Sequence, residues 1–270
     1  MTSVALTIAG SDSGGGAGTQ ADLKTFAFHC VHGASAITCV TAQNTVGVSE
    51  VAAMTPQNVV AQLAAVTEDM KVDATKTGML LNKAIIETVA AFLAEQPRHL
   101  LVVDPVMVSR AGVQLIDDDA VASLINELIP LATIATPNIY EAQILAGYQI
   151  ETVSEMKQAA KKIFSLGAKT VLVKGGGLDK SEPAIDVWYD GSSYELLSQP
   201  RVQTKNTHGT GCTLSAAISA NLALGKDVFK SVTEAKHYVT KALQHSLDIG
   251  AGSGPVGHFF PLLKSEGGSS

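Results

Sequence analysis

Leu100-Leu101-Val102-Val103-Asp104-Pro105 is an apolar run stopped by an acid and a proline. Runs this continuous suit parallel strands covered on both faces, and the same reading extends outward in both directions. Val4 to Ile8 and Ala34 to Val40 come before it; Leu131 to Ala135 and Thr170 to Val173 come after. Helical patterns lie between. Thr55 before Pro56 is an N-cap with proline at the first helical position, and Val59, Val60, Leu63 and Val66 make one apolar face. Ser154 caps a further helix, with Ala159, Ala160 and Ile163 inward and Gly167 at its end. Cys212 to Leu224 is a third, striped by Leu214, Ala217, Ile218 and Leu222. Ile185 to Leu197 breaks the alternation, because Asp190-Gly191 sits between two strand-like runs and marks a hairpin. The expected class is therefore α/β: a three-layer fold with a mostly parallel central sheet, helices on both faces and an antiparallel edge hairpin. No linker or internal repeat divides residues 1–264, which read as one domain, and Ser265 to Ser270 reads as a low-complexity, disordered tail.

Composition narrows the function. Of 270 residues, 46% are hydrophobic and 16% charged, enough apolar surface for a sizeable core. A formal net charge of −6 without a basic block argues against nucleic acid or an anionic membrane as partner. Cys30, Cys39 and Cys212 are too scattered for a disulfide framework, the N-terminus lacks a basic n-region, and no apolar run reaches spanning length. A cytoplasmic protein is the expectation.

Open α/β sheets bind ligands beyond the carboxyl ends of their strands. There the chain carries Gly10 to Gly18, Thr41-Ala42-Gln43-Asn44, Asp104-Pro105-Val106-Met107, Thr136-Pro137-Asn138 with Glu141, and Lys174-Gly175-Gly176-Gly177. The strongest local signal is Asn206-Thr207-His208-Gly209-Thr210-Gly211-Cys212, running into a helix. Its glycines leave backbone N–H groups open, and the helix N-terminus adds partial positive charge, an anion hole suited to a phosphoryl group. Taken alone it equally describes an ordinary capping loop. Asp104 and Glu141 offer the oxygen ligands that Mg²⁺ takes alongside phosphate. Other patterns fail: Gly225-Lys226 is followed by Asp227, so there is no Walker A loop, and Gly252 to Gly257 matches a dinucleotide pattern but contains Pro255 and follows no strand. His29, Cys30, His32 and Cys39 fit no zinc spacing, and the two cysteines read as small core residues.

Together these blocks resemble the hydroxymethylpyrimidine/phosphomethylpyrimidine kinases, thiamine-pathway members of the ribokinase-like superfamily. The resemblance rests on Gly10 to Thr25, Thr41 to Thr45, Lys76 to Leu80, Asp104 to Met107, Thr136 to Glu141, Lys205 to Cys212 and Gly254 to Phe259, spanning roughly residues 3 to 262. It implies two successive phosphoryl transfers from ATP with Mg²⁺. The first is onto the hydroxymethyl group of 4-amino-5-hydroxymethyl-2-methylpyrimidine and the second onto the resulting monophosphate. It further implies that Gly10, Asp22, Gln43, Met79 and Val106 hold the pyrimidine, Asp22 and Gln43 reading its polar edge. Asn138, Lys174, Thr207 and His208 would hold the nucleotide, Asp104 and Glu141 the metal, and Gly209, Thr210, Gly211 and Cys212 would carry the transfer. A homodimer is implied as well.

Cys212 stands where the superfamily's sugar kinases have a catalytic Asp. A helix N-terminus lowers a thiol's pKa, so a thiolate base is one expectation and a positioning group the other. The alternative reading is a pyridoxal/pyridoxine kinase of the same branch, whose substrate also carries a hydroxymethyl group on a nitrogen heterocycle. Gln43 favours the aminopyrimidine, because an amide pairs with an exocyclic amine. A non-catalytic pyrimidine-binding protein would lack the anion hole or the acids, and this chain has both.

Overall fold

The structure is a computed structural model, and it describes residues 2–96, 100–108, 116–178 and 183–263. The tail expected at 265–270 lies outside the described residues. Strands β1 (Val4–Asp12), β2 (His32–Gln43), β3 (Val48–Ala53), β4 (Ala74–Thr77), β5 (Leu101–Val103), β6 (Ile134–Ala135), β7 (Val171–Val173), β8 (Ala184–Tyr189) and β9 (Tyr194–Gln199) form one sheet. Their order is β3-β2-β1-β4-β5-β6-β7-β8-β9. The six central strands, β2 through β7 in that order, run parallel, and both edges are antiparallel.

Period-two alternation divides each buried strand between two helical layers. Leu101, Val103, Val171 and Val173 point into one core with α2 (Pro56–Thr67), α3 (Lys83–Ala94), α4 (Asp118–Ser123), α5 (Ile139–Ala146) and α6 (Val153–Phe164). Val102 and Leu172 point into the other with α1 (Gly18–Phe28), α7 (Thr210–Ala223) and α8 (Val228–Gln244). The three-layer expectation therefore holds, as does the hairpin, with Tyr189 paired to Tyr194 across the Asp190–Ser193 turn.

Several local expectations are corrected. Only Ile134 and Ala135 of the fourth run are strand; Ile129–Leu131 closes a 3₁₀ turn, where Pro130's fixed φ fits and its missing N–H costs nothing. Thr152, not Ser154, caps α6, because Glu155 completes a capping box from the right distance. Val60 is 36% exposed, a helical step away from the buried Val59 and Leu63. Helix α7 begins at Thr210, two residues early, and is buried all round from Thr213 to Ala223 because it lies between the sheet and α8. Cys39 is a core residue, but Cys30 is exposed. Strand β4, helices α1, α3 and α8, and the second antiparallel edge at β3 were not anticipated. No helix among the described residues is long and apolar enough to cross a membrane.

Candidate active site

The carboxyl ends of β1, β2, β4, β5, β6 and β7 deliver Asp12, Gln43, Gly78, Asp104, Thr136 and Lys174 to one edge of the sheet. The first turn of α7 sits over this edge. Gly209 is its N-cap with φ 80°, a left-handed conformation that favours glycine. A Cβ there would also collide with the carbonyl of Gly16, while one on Gly16 would collide with the His208 ring. The two glycine loops, 14–18 and 206–212, are thus interlocked backbone to backbone, and only residues without side chains permit the approach.

Behind Gly209 runs a relay. Thr213 Oγ1 donates to the Gly209 carbonyl at 2.8 Å, so it accepts from His258 Nε2–H at 2.9 Å. Tyr238 in turn donates to the His258 carbonyl at 2.8 Å. The segment 254–258, with its rejected dinucleotide pattern, is the strut beside the anion loop: His208 N–H donates to Gly254 O and Val256 N–H to His208 O.

A charge cluster occupies the middle of the edge. Lys174 Nζ donates to Asp104 Oδ1 at 2.7 Å and lies 3.4 Å from where a Cβ of Gly211 would stand. A cation therefore sits at the mouth of the anion loop. Ser215, one turn into α7, donates to Asp104 Oδ2 at 3.0 Å. Glu141 and Asn138 form a capping box at the start of α5, with bonds of 2.8 and 3.0 Å. Burial pushes the Glu141 carboxyl up; Lys174 opposes that and Asp104 adds to it. Asp104 bonds Lys174 directly, Glu141 meets it only through charge, and both carry oxygens of the kind Mg²⁺ takes as ligands, even though no cluster of three or more ligand-type residues occurs among the described residues.

Deeper in, Lys76 and Asp22 form an ion pair at 2.8 Å without solvent exposure, and Thr7 Oγ1 donates to the same carboxylate at 2.6 Å. Both Asp22 oxygens bond Lys76, and with Thr7 they leave the expected contact of Asp22 with the pyrimidine about one acceptor site. Burial raises Asp22; it also works against the Lys76 ammonium, but Asp22, Cys212 and Asp104 outweigh that and hold Lys76 well above its ordinary value.

The thiolate expectation for Cys212 meets an opposing force. Its thiol is pushed up to about 11, chiefly by burial, against the pull of Lys76 and the Gly18 N–H and with Asp22 and Asp104 adding to the rise. That direction favours the positioning role over the base. The helix N-terminus is present, but removal from water outweighs it.

Gly10, Met79 and Cys39 pack together: a Cβ on Gly10 would lie 2.7 Å from Cys39 Sγ and 3.0 Å from Met79 Cε. Val106 follows Asp104 in a tight turn, its N–H donating to the Asp104 carbonyl. Gln43 is partly exposed at the end of β2, 3.3 Å from His208. Thr210 Oγ1 donates to the Thr207 carbonyl and so tightens the anion loop. Sequence reasoning missed Asp12, Lys76, Ser215 and His258. For Asp12 a signal existed: an acid two residues before glycine forms an Asx turn, here with Gly14 N–H at 2.8 Å. For Lys76 no signal existed, because β4, the strand that buries it and makes a partner necessary, is itself not legible in the sequence.

Comparison with known proteins agrees with this geometry. A family model described as phosphomethylpyrimidine kinase matches residues 12–257. A hydroxymethylpyrimidine/phosphomethylpyrimidine kinase of Synechococcus elongatus is 56% identical over 96% of this chain and 98% of its own. A pyridoxine kinase of Bacillus subtilis is 44% identical over 94% of this chain and 95% of its own. Among solved structures, an ADP complex of Bacillus subtilis pyridoxal kinase superposes with a TM-score of 0.90 at 41% identity, covering 97% of this chain and 99% of that one. With a glycine loop at a helix N-terminus, Asp104 and Lys174 paired just past two strand ends, Glu141 in the first turn of α5, and a match across nearly its whole length, the chain is a kinase that belongs to the phosphomethylpyrimidine kinase family.

Proposed function

We propose that this protein transfers the γ-phosphoryl group of ATP to the hydroxymethyl group of 4-amino-5-hydroxymethyl-2-methylpyrimidine, and a second one to the resulting monophosphate. The observation that carries the reading is Lys174 held by Asp104 at the mouth of the Gly209–Cys212 loop. Phosphoryl transfer is largely positioning and charge neutralisation, and this arrangement supplies both. Backbone N–H groups of Gly209 and Gly211 and the Lys174 ammonium receive the transferring group, and Thr210, whose N–H and hydroxyl both turn to the Thr207 carbonyl, holds the loop in shape for it. Asn138, Thr207 and His208 line the nucleotide side of that loop, and Gly10, Met79, Val106 and Gln43 the heterocycle side. Asp104 and Glu141 would hold Mg²⁺, which neutralises phosphate charge when bound.

In this reading Cys212 orients the attacking hydroxyl as a neutral thiol. A loose transition state needs little base strength from it, since the hydroxyl proton is lost late. Asp22 acts through Lys76, whose charge lies behind the thiol. The cytoplasm as compartment and a homodimer as assembly belong to the same proposal.

Similarity to pyridoxal and pyridoxine kinases favours a second activity on that heterocycle. Purified protein, ATP and Mg²⁺ with each substrate separately, mono- and diphosphate products being counted, tests both. Pyrimidine diphosphate supports the main reading; turnover of pyridoxal alone refutes it.

A further inference from the structure

Asp12 and His208 are 196 positions apart and are joined by a hydrogen bond of 2.8 Å. The Asp12 carboxylate also accepts the N–H groups of Gly14, Gly16 and Ala17 at 2.8 to 3.0 Å. His208 foremost, after the opposing effect of burial, and then these donors hold its carboxyl below the ordinary value. An ionised oxygen at 2.8 Å requires His208 Nε2 to carry its proton.

That proton decides how Gln43 is turned. One end of the Gln43 amide lies 3.3 Å from His208 Nε2, and the other 3.1 Å from Thr41 Oγ1. Amide oxygen and nitrogen have the same shape, so the surrounding network assigns them. With its proton in place His208 Nε2 has no lone pair to accept from an amide N–H, so the end facing it is the amide oxygen, which shares at 3.3 Å the proton that Asp12 holds at 2.8 Å. Thr41 gives the second argument independently. Its single hydroxyl proton goes to the Ser11 carbonyl at 2.9 Å, which can only accept. Its oxygen then remains an acceptor, and the end facing it is the amide nitrogen. Ser13 fixes the backbone of the same residue, accepting from Gln43 N–H at 2.8 Å and donating to Gln43 O at 2.7 Å.

The amide is left with one oxygen lone pair and one N–H, in a fixed order. An aminopyrimidine presents an exocyclic amine beside a ring nitrogen, a donor next to an acceptor, and matches that order in a two-bond pairing. A pyridoxal ring flanks its nitrogen with carbon and cannot. We infer that the Asp12–His208 pair is a specificity device: it sets the orientation of the Gln43 amide, and with it the preference for an aminopyrimidine over a pyridine. This rests on the reading of Gln43 as a heterocycle contact given under Proposed function.

The test is a double-mutant cycle. His208→Ala lowers kcat/KM for hydroxymethylpyrimidine about tenfold more than it lowers the value for pyridoxal, on the order of one hydrogen bond. His208→Gln, which keeps a donor near the same place, recovers most of the loss. In a Gln43→Ala background the His208 substitution adds less than about twofold. Equal losses on both heterocycles, an effect confined to the KM of ATP, or full additivity with Gln43→Ala overturns the inference. Side-chain amide NMR is independent of turnover: in the free protein His208→Ala shifts the Gln43 NH₂ pair and His208→Gln restores it. Failure to phosphorylate the pyrimidine at all would refute the proposed function and leave the NMR result to judge the amide; an unmoved NH₂ pair would overturn the inference alone.

Discussion

Replacing His258 with glutamine should flatten part of the acid dependence of stability. His258 is buried, with Nε2 2.9 Å from Thr213 Oγ1, and removal from water disfavours its charged form. Burial, and secondarily the charge of Lys24, push its pKa down from 6.5 to about 4, against a small opposing pull from the Val256 backbone. The sign follows from which state takes the proton. Above pH 6.5 neither state is protonated and His258 contributes nothing to the slope. As pH falls from 6.5 towards 4 the unfolded chain binds a proton that the folded one refuses, and the native state loses stability. At about 1.4 kcal/mol per pH unit, the gap between 6.5 and about 4 amounts to about 3 kcal/mol, fully expressed at the lower end. The glutamine introduced by His258→Gln cannot titrate but can still donate to Thr213 Oγ1. Denaturant unfolding of both proteins from about pH 7.5 to about 4.5 isolates the term, because every other titrating group is common to both. The wild type should lose about 2 to 3 kcal/mol more than H258Q over that range. A difference between the two proteins that stays constant with pH would show that His258 is not held neutral, and the relay to Gly209 would lose its basis.

Other expectations follow from the same contacts. Lys76→Met leaves Asp22 buried without its partner and should cost about 3 to 5 kcal/mol by denaturant unfolding, while Lys76→Met with Asp22→Leu should recover much of it; equal destabilisation by the single and double variants would refute the pairing. Gly209→Ala places a methyl group against the Gly16 carbonyl in a left-handed backbone, and kcat should fall at least about 100-fold with the fold retained by circular dichroism. An unchanged kcat would show that the loops are not interlocked. Since the Cys212 thiol titrates near 11, kcat should not rise between about pH 7.5 and 9, and iodoacetamide should react with it slowly at neutral pH; a rise in kcat centred near about 8.5 would restore the thiolate base.

Much of the fold was legible because each layer leaves a period in the chain. The runs at Leu100 to Val103 and Thr170 to Val173 are apolar on both faces, and the structure buries both faces. Strand β4 was not legible, because Ala74-Thr75-Lys76-Thr77 is mostly polar; it is buried only because Lys76 has Asp22 waiting 54 positions away. Ser154 and Thr152 are equivalent as cap candidates by residue type, and the reach of Glu155 selected between them. The anion loop was visible as glycines before a helix, whereas the reason for those glycines, the approach of the 14–18 loop, was not.

By itself the sequence determined the layers, the hairpin, the strand ends that gather the polar residues and the family blocks they spell, since these depend on neighbours a few residues apart. Only the tertiary structure decided which charges meet: Asp104 with Lys174 across 70 positions and with Ser215 across 111, and Asp12 with His208 across 196. It also set the forces on buried groups. Local sequence puts Cys212 at a helix N-terminus that favours thiolate, and burial among elements distant in the chain pushes its thiol the other way, because the cost of taking an anion out of water is set by everything packed around it.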